Sequence, residues 1–346
     1  MEATNRRKFI ERTVITGTGI SLAGGALNTM GQAGEKKGKK IGMIGLDTSH
    51  CIAFTKALNN PNAGAEFSGY TVVAAYPNGS RDIASSVERI SGYTEEVKKL
   101  GVKIVHSVEE LIAEADVVML ETNDGRLHLE QAIPVIVAGK PMFIDKPMTA
   151  SLAEAIVIFE HAKKLKVPVF SSSSLRYITG MEEVISGKIG KVTGAETYSP
   201  AKLEKTHPDL FWYGIHGVET LFTAMGTGCK RVVRVSNEDT DLVVGTWDDG
   251  RIGTFRGIRN GKADYGGTVF GEKGISVLGN YAGYNPLLVQ IIDFFKTGVI
   301  PVREEETLQI LAFMEAADLC KVSGGAPVEI ESVMNKAVEE ASKINI

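Results

Sequence analysis

Between residues 40 and 170 the sequence alternates short apolar runs with stretches of helical period, and this alternation constrains the fold more than any other feature. Lys40-Ile-Gly-Met-Ile, Thr71-Val-Val-Ala-Ala, Val102-Lys-Ile-Val, Asp116-Val-Val-Met-Leu and Met142-Phe-Ile are each too short for a helix and read as buried strands. Helices are predicted from about Cys51 to Asn59, from Ile83 to Leu100 with a break near Ser91-Gly92, after the capping Ser107, from Leu129 to Ala138, and from Ser151 to Leu165. Val167-Pro-Val-Phe then leads out. Strands spaced by helices of this length imply right-handed crossovers and a parallel sheet. Ligands bind at the carboxyl edge of such a sheet. At that edge the fifth run ends in Asp145-Lys146-Pro147. Pro147 has no N–H for the sheet and pushes Lys146 toward an extended backbone. A lysine held there, partly desolvated, can donate a proton near neutral pH. The alternative is a plain ion pair with Asp145 at a solvated strand end, and these residues alone leave both open.

After Ser174 the pattern changes. From Val192 to Leu278 it is mostly strand and turn, with Asp248-Asp-Gly-Arg and Gly271-Glu-Lys-Gly as hairpin turns and one helix from about Ile215 to Met225. The glycine content of this half suits an antiparallel sheet. Two closing helices are predicted, Pro286 to Lys296 and Glu304 to Val322.

Composition excludes several classes. A chain of 346 residues with 43% hydrophobic and 23% charged residues is an ordinary globular chain, of two domains by length. A net charge of -4 with no basic stripe argues against nucleic acid as a partner. Cys51, Cys229 and Cys320 show neither a disulfide framework nor zinc-type spacing. Asn5-Arg6-Arg7-Lys8-Phe9-Ile10, followed by a weakly apolar, glycine-rich segment, reads as a twin-arginine export signal, with a basic arm and a frayed helix as the alternative. Export to the periplasm of an already folded protein is therefore expected, with no membrane span in the mature chain.

Aligned on the G-x-G-x-x-G turn that holds a dinucleotide pyrophosphate, Gly45 fills the first position, Asp47 the second and His50 the third. A carboxylate at the second position repels a pyrophosphate. Asp47, Thr48 and Ser49 are also good N-caps, and as caps they would take the N–H groups that a phosphate needs. Tyr76-Pro-Asn-Gly-Ser-Arg81 stands where a ribose-binding acid is usual, and Ser80 with Arg81 suits a 2′-phosphate better than a free hydroxyl. If a dinucleotide binds, NADP is favoured slightly over NAD.

Ala115-Asp-Val-Val-Met-Leu, Asn123 to His128, and Ala138-Gly-Lys-Pro-Met-Phe-Ile-Asp-Lys-Pro closely resemble the Gfo/Idh/MocA oxidoreductase family. There the run reads strand, T-P-N-x-x-H-like turn, helix, A-G-K and E-K-P. Ser151-Leu-Ala-Glu-Ala and Gly187-Lys-Ile-Gly-Lys-Val also fit, so the similarity covers most of the chain from Lys40 onward. With the twin-arginine signal and linker taken as 1–36, the resemblance implies a Rossmann-type nucleotide-binding domain (37–170) and a substrate and oligomerisation α/β domain (171–346) with an open, mainly antiparallel sheet. The closing helices are allowed to pack back on the first domain. It further implies a homo-oligomer, because a partner subunit commonly covers that open face.

Carried over by position, Lys146 matches the lysine that hydrogen-bonds the reacting hydroxyl or carbonyl, and Asp145 replaces the usual glutamate with a shorter acid. His128 matches the histidine of the turn near the nicotinamide, where Asn123 joins the cofactor residues Gly45, Asp47, Thr48, Ser49, His50, Ser80, Arg81, Asp145 and Lys146. His216 matches the histidine of D-x-G-x-H, an acid/base candidate with a near-neutral unperturbed pKa. Trp212 occupies the place of that motif's aspartate, Glu219 supplies an acid after the histidine, and Tyr213 offers a phenol. Arg176 and Tyr177 are candidates for the substrate side, with a domain-junction salt bridge as the alternative. Phe211-Trp-Tyr reads as a face for a sugar ring or as core.

The expected activity is NAD(P)-dependent oxidation or reduction of a sugar, polyol or sugar derivative, with Lys146 polarising the oxygen and His216 moving the proton. Two other expectations stand beside it. One is a glycoside-cleaving enzyme of the same family that retains its cofactor through oxidation, elimination and re-reduction. The other is a non-redox sugar-binding protein that has lost its dinucleotide. A metal held by Asp47, His50, His207 or His216 lacks the spacing of ligands one helical turn apart, so no metal is expected.

Overall fold

Every residue of β4 (Val117–Leu120) and β5 (Met142–Ile144) is buried, as a strand covered by helices on both faces must be. In the computed structural model, which describes residues 38–346, they join β1 (Lys40–Ile44), β2 (Thr71–Tyr76), β3 (Lys103–Ile104) and β6 (Val169–Ser171) in a six-stranded sheet. Its order is β3-β2-β1-β4-β5-β6 and all its pairs are parallel. The order reverses between β1 and β4, which makes that point the crevice where a ligand enters. The crossovers are α1 (Ser49–Leu58), α2 (Ala84–Lys99), α3 (Val108–Glu114), α4 (His128–Val137) and α5 (Leu152–Leu165). The twin-arginine signal read at 1–36 lies outside the described residues.

Helix α2 runs unbroken through Ser91-Gly92, contrary to the predicted break. Gly92 faces open space, so its cost is only the modest loss of helix propensity, which the rest of the helix absorbs. Val169–Ser171 forms a sixth strand where only an exit was expected, because Phe170 and Ser171 pair with Phe143 and Ile144.

After a short α6 (Met181–Ile185) comes a seven-stranded sheet. It contains β7 (Val192–Pro200), β8 (Cys229–Ser236), β9 (Thr240–Trp247), β10 (Ile252–Ile258), β11 (Gly266–Gly271), β12 (Ile275–Leu278) and β13 (Val328–Glu329) in the order β12-β11-β7-β10-β9-β8-β13. Only β7 and β10 run parallel. Both hairpin turns fall where the sequence places them, and α7 (Ile215–Met225) lies against β7 and β10.

Three helices close the chain: α8 (Asn285–Thr297), α9 (Glu304–Val322) and α10 (Ile330–Ala341). The third was not anticipated. Its buried stripe consists of Ile330, Val333, Ala337 and Ala341, and alanines contribute little hydrophobic signal. Leu287, Ile291 and Phe294 of α8 share a core with Ile41, Met43 and Phe170 of the first sheet. Helices α9 and α10 lie on α5, where Glu315 accepts the Leu152 N–H at 2.8 Å. The described residues thus pack as one compact unit. Among them no helix is long and apolar enough to cross a membrane.

Candidate active site

Chain direction brings the functional groups together. Asp145 and Lys146 leave β5, Glu121 to Asn123 leave β4, and His50 lies in the first turn of α1 after β1. Helix α7 begins opposite them and presents His216, preceded by Trp212 and Tyr213. Between the two sides lies a cleft of about 300 Å³, lined among others by Asn123, Lys146, Trp212, Tyr213 and His216. Its walls include Tyr265, Tyr281 and Tyr284, from segments after β10 and β12. Ring centroids stand 5.9 Å apart for Tyr213–His216, 5.7 Å for His216–Tyr265, 6.1 Å for Tyr265–Tyr281 and 5.7 Å for Tyr281–Tyr284. This is a continuous aromatic wall facing polar groups, the usual composition of a small-molecule site. A wider surface depression of about 720 Å³ beside Lys230, Arg303 and Met334 shares none of these residues.

Lys146 and His216 are in opposite states. Burial lowers the Lys146 pKa, but Asp145, with its Oδ2 3.3 Å from Nζ, outweighs burial and the net shift is upward. Lys146 is therefore a fixed cation and not the near-neutral proton donor that its strand-end position had implied. Burial, together with Lys146 and His50, holds His216 well below the ordinary histidine range, so it is neutral at physiological pH. Its Nδ1 lies 2.8 Å from Ser173 Oγ. Ser173 is fixed in turn by Glu219, which accepts the Ser173 N–H and the Ser172 hydroxyl, each at 2.8 Å.

His50, Glu121 and Asp145 form a buried group at the cleft floor. His50 Nδ1 stands 3.0 Å from Asp145 Oδ1 and 3.6 Å from Glu121 Oε2. Burial opposes the charge on His50, but the two carboxylates carry its pKa up to about 9. Burial pushes Glu121 up to about 7. His50 and Lys146 override burial at Asp145 and hold it below the usual carboxylate range. Glu121 had no place in the sequence motifs, since it stands where the related turn carries a small polar residue.

The cofactor side departs from expectation in one respect. Thr48, the N-cap of α1, makes no side-chain capping bond, and Asp47 turns away from the helix to accept the Asn123 N–H at 2.9 Å. The expected capping by Asp47, Thr48 and Ser49 does not occur, because Asp47 is drawn into the sheet edge beside Gly79. A Cβ on Gly79 would stand 2.4 Å from the Asp47 carboxylate. Gly45 keeps the first-glycine role. Its φ is +87° and a Cβ there would meet the Thr122 backbone at 2.4 Å. The α1 N–H groups therefore stay open, Thr48 Oγ1 has no partner, and Ser49 and Arg89 line the cleft beside them. These groups fit the pyrophosphate of a dinucleotide. Farther along the edge, Ser80, Arg81, Asp82 and Arg126 line a depression of about 440 Å³ at the end of β2.

Other candidates lie off the cleft. His128 is fully buried, with Nδ1 2.9 Å from the Met148 carbonyl and Nε2 2.7 Å from that of Thr122, and it ties together the loops after β4 and β5. Arg176 is buried and pairs with Glu219 at 3.0 Å and with Glu306 of α9 at 2.6 Å, while Tyr177 packs against the α8 core. Arg176, Tyr177 and Glu219 thus form the support beneath Ser173 and do not line the cleft. Ser173, Tyr265, Tyr281 and Tyr284 are cleft or support residues that carried no motif. Their positions depend on how loops far apart in sequence converge.

Comparison with known proteins agrees with this architecture. Residues 39–173 match the family described as "Oxidoreductase family, NAD-binding Rossmann fold". Through this domain the chain is similar to the Gfo/Idh/MocA family. A 1,5-anhydro-D-fructose reductase of Ensifer adhaerens is 29% identical over 121 residues, covering 34% of this chain and 36% of the relative, so the match spans about a third of that protein. A probable dehydrogenase of Thermotoga maritima superposes with a TM-score of 0.68 at 21% identity, over 85% of this chain and 99% of that one. Scyllo-inositol dehydrogenase of Lactobacillus casei, with bound NAD(H) and scyllo-inositol, gives a TM-score of 0.67 at 16% identity, over 85% and 100%. These structural likenesses show the shared fold.

Proposed function

We propose that this chain is an NAD(P)-dependent oxidoreductase acting on a sugar, polyol or sugar derivative. The observation that carries this reading is the pairing of a fixed cation, Lys146, with a neutral imidazole, His216, in one aromatic-walled cleft. Aromatic faces cover the apolar C–H faces of a sugar ring, and the polar groups take its hydroxyls. Lys146 donates a hydrogen bond to the reacting oxygen and stabilises negative charge that develops on it. Neutral His216, oriented by Ser173, accepts the hydroxyl proton during oxidation and returns it during reduction. Thr48, Ser49 and Arg89 would hold the dinucleotide phosphates, and the bound nicotinamide supplies the hydride acceptor or donor. Ser80 and Arg81 favour NADP over NAD, because a hydroxyl and a cation at the end of β2 match a 2′-phosphate, while Arg126 beside them is already paired with Asp82 and Asp124.

Purified protein should release NADP(H) or NAD(H) on denaturation, identified by absorbance and mass, and should change the redox state of added NAD(P) with a sugar or polyol. One observation favours a second reading, sugar binding without redox chemistry: Gly45 to Thr48 are all buried with Asp47 beneath them. A protein that releases no dinucleotide, binds none when added, and still binds sugar supports that reading and overturns the first.

We further propose export through the twin-arginine signal, tested by fractionation of cells carrying the intact chain or an Arg6→Lys, Arg7→Lys variant. A homo-oligomer formed through the open face of the second sheet completes the reading.

A further inference from the structure

His50, Glu121 and Asp145 leave the carboxyl ends of three neighbouring strands, β1, β4 and β5, and so converge at one point of the sheet edge. One donor atom from each lies within 4.8 Å of the others. All three side chains are buried, 5% exposed for His50 and 0% for each acid. Among the described residues, neither Glu121 oxygen has a hydrogen-bond partner, while His50 Nδ1 and Asp145 Oδ1 meet only each other, 3.0 Å apart. Lys146 reaches Asp145 through the other oxygen, Oδ2. Buried polar atoms are almost always partnered, so two orphan carboxylate oxygens of Glu121, set beside His50 and a second acid, call for an occupant. Their spacing says what kind. Ligands at about 2.1 Å from a divalent cation stand roughly 3.0 Å apart at right angles and roughly 3.4 Å apart at tetrahedral angles. The two distances from His50 Nδ1, 3.0 Å to Asp145 and 3.6 Å to Glu121, fall at such spacings, and the two acids offer donor atoms within 4.8 Å of each other.

We propose that His50 Nδ1, Glu121 and Asp145 bind a divalent cation at the floor of the cleft. One imidazole and two carboxylates suit Zn²⁺ or Mn²⁺. Three protein ligands leave a coordination position open, as in catalytic metal sites. Since His50 lines the cleft, that position faces it and takes water or a substrate hydroxyl oxygen next to Lys146. Only the identity of this last ligand rests on the sugar reading. The cation site itself stands whether or not a dinucleotide binds.

The test reads binding directly, without turnover. Purified full-length protein is stripped with EDTA, dialysed, and titrated with ZnCl₂ or MnCl₂ by calorimetry, with metal content measured before stripping. One cation per chain is expected, with a rise in melting temperature on loading. Glu121→Gln and Asp145→Asn should each weaken binding at least tenfold and abolish that rise while the proteins remain folded. If protonated His50 already fills the role, the wild-type protein will show no saturable binding of either metal, and the proposal falls. It also falls if Glu121→Gln binds as tightly as wild type, because the cation then sits elsewhere. Loss of NAD(P) binding with the cation site intact would overturn only the redox reading.

Discussion

In the proposed reaction Lys146 and His216 divide the work by charge state, and each division can be measured. Replacing Lys146 with Met keeps much of the volume but removes the cation at the reacting oxygen. Turnover should fall by about 10²–10³-fold or more, the scale of a lost preorganised electrostatic donor. Unchanged steady-state turnover would sink the assignment. For His216 the sign follows from its depressed pKa: the neutral, proton-accepting form persists through neutral pH and is lost only in acid below the ordinary histidine range. The His216 contribution to kcat/KM for oxidation should therefore be complete at neutral pH, with its acid limb below the ordinary histidine range. His216→Asn should lower kcat and erase the limb. Asp47 makes a stability prediction of opposite form. Burial raises its pKa from 3.8 to about 6, so its own contribution to folding stability is greatest below pH 4 and is lost as pH rises through about 6. The shift is worth roughly 3 kcal/mol at neutral pH. Asp47→Asn should raise the melting temperature at pH 7 and give no gain at pH 4, measured by calorimetry on both proteins.

At the scale of elements, the parallel strands and their order of appearance were legible because an apolar run buried on both faces leaves no alternative. Lys146 was legible for the same reason, since a strand that stops at Asp-Lys-Pro must place that lysine on the ligand edge. Three things were not. The third closing helix hid behind an alanine stripe, the aromatic wall is assembled from loops that only the tertiary fold brings together, and Glu121 gains meaning only beside His50 and Asp145. Arg176 shows the same limit. Sequence left it open between a substrate contact and a junction ion pair, and the structure places it in a buried link from Glu306 of α9 to Glu219 of α7. Arg176→Met strands both acids, and breaking a buried pair of this kind costs about 3–5 kcal/mol. A lowered denaturation midpoint, partly restored by adding Glu219→Gln, is the expected outcome. Full activity and stability in Arg176→Met would remove the claim that this link supports Ser173 and His216.

For the molecule as a whole, the second sheet has one face against α7 and α9 and one face without helices. Across that outer face Val233, Val244, Thr254, Glu196, Thr268 and Val277 stand in one register row, with Val235, Leu242, Arg256 and Tyr198 in another. Val277 is 73% and Val235 69% exposed. Exposed Val277, Val235 and Tyr198 beside Glu196 and Arg256 make a mixed surface suited to docking a partner. Glu196 and Arg256 on the same face let it complement a copy of itself about a two-fold axis, with each acid meeting the partner's arginine. The proposed occupant is therefore a second copy of this chain. Light scattering coupled to gel filtration should report a dimer or a higher even-numbered assembly. Val277→Lys together with Val244→Glu should shift it toward monomer while leaving the circular-dichroism spectrum unchanged, because neither side chain belongs to the core. A wild-type protein that remains monomeric at tens of micromolar would show that the face serves something other than self-association.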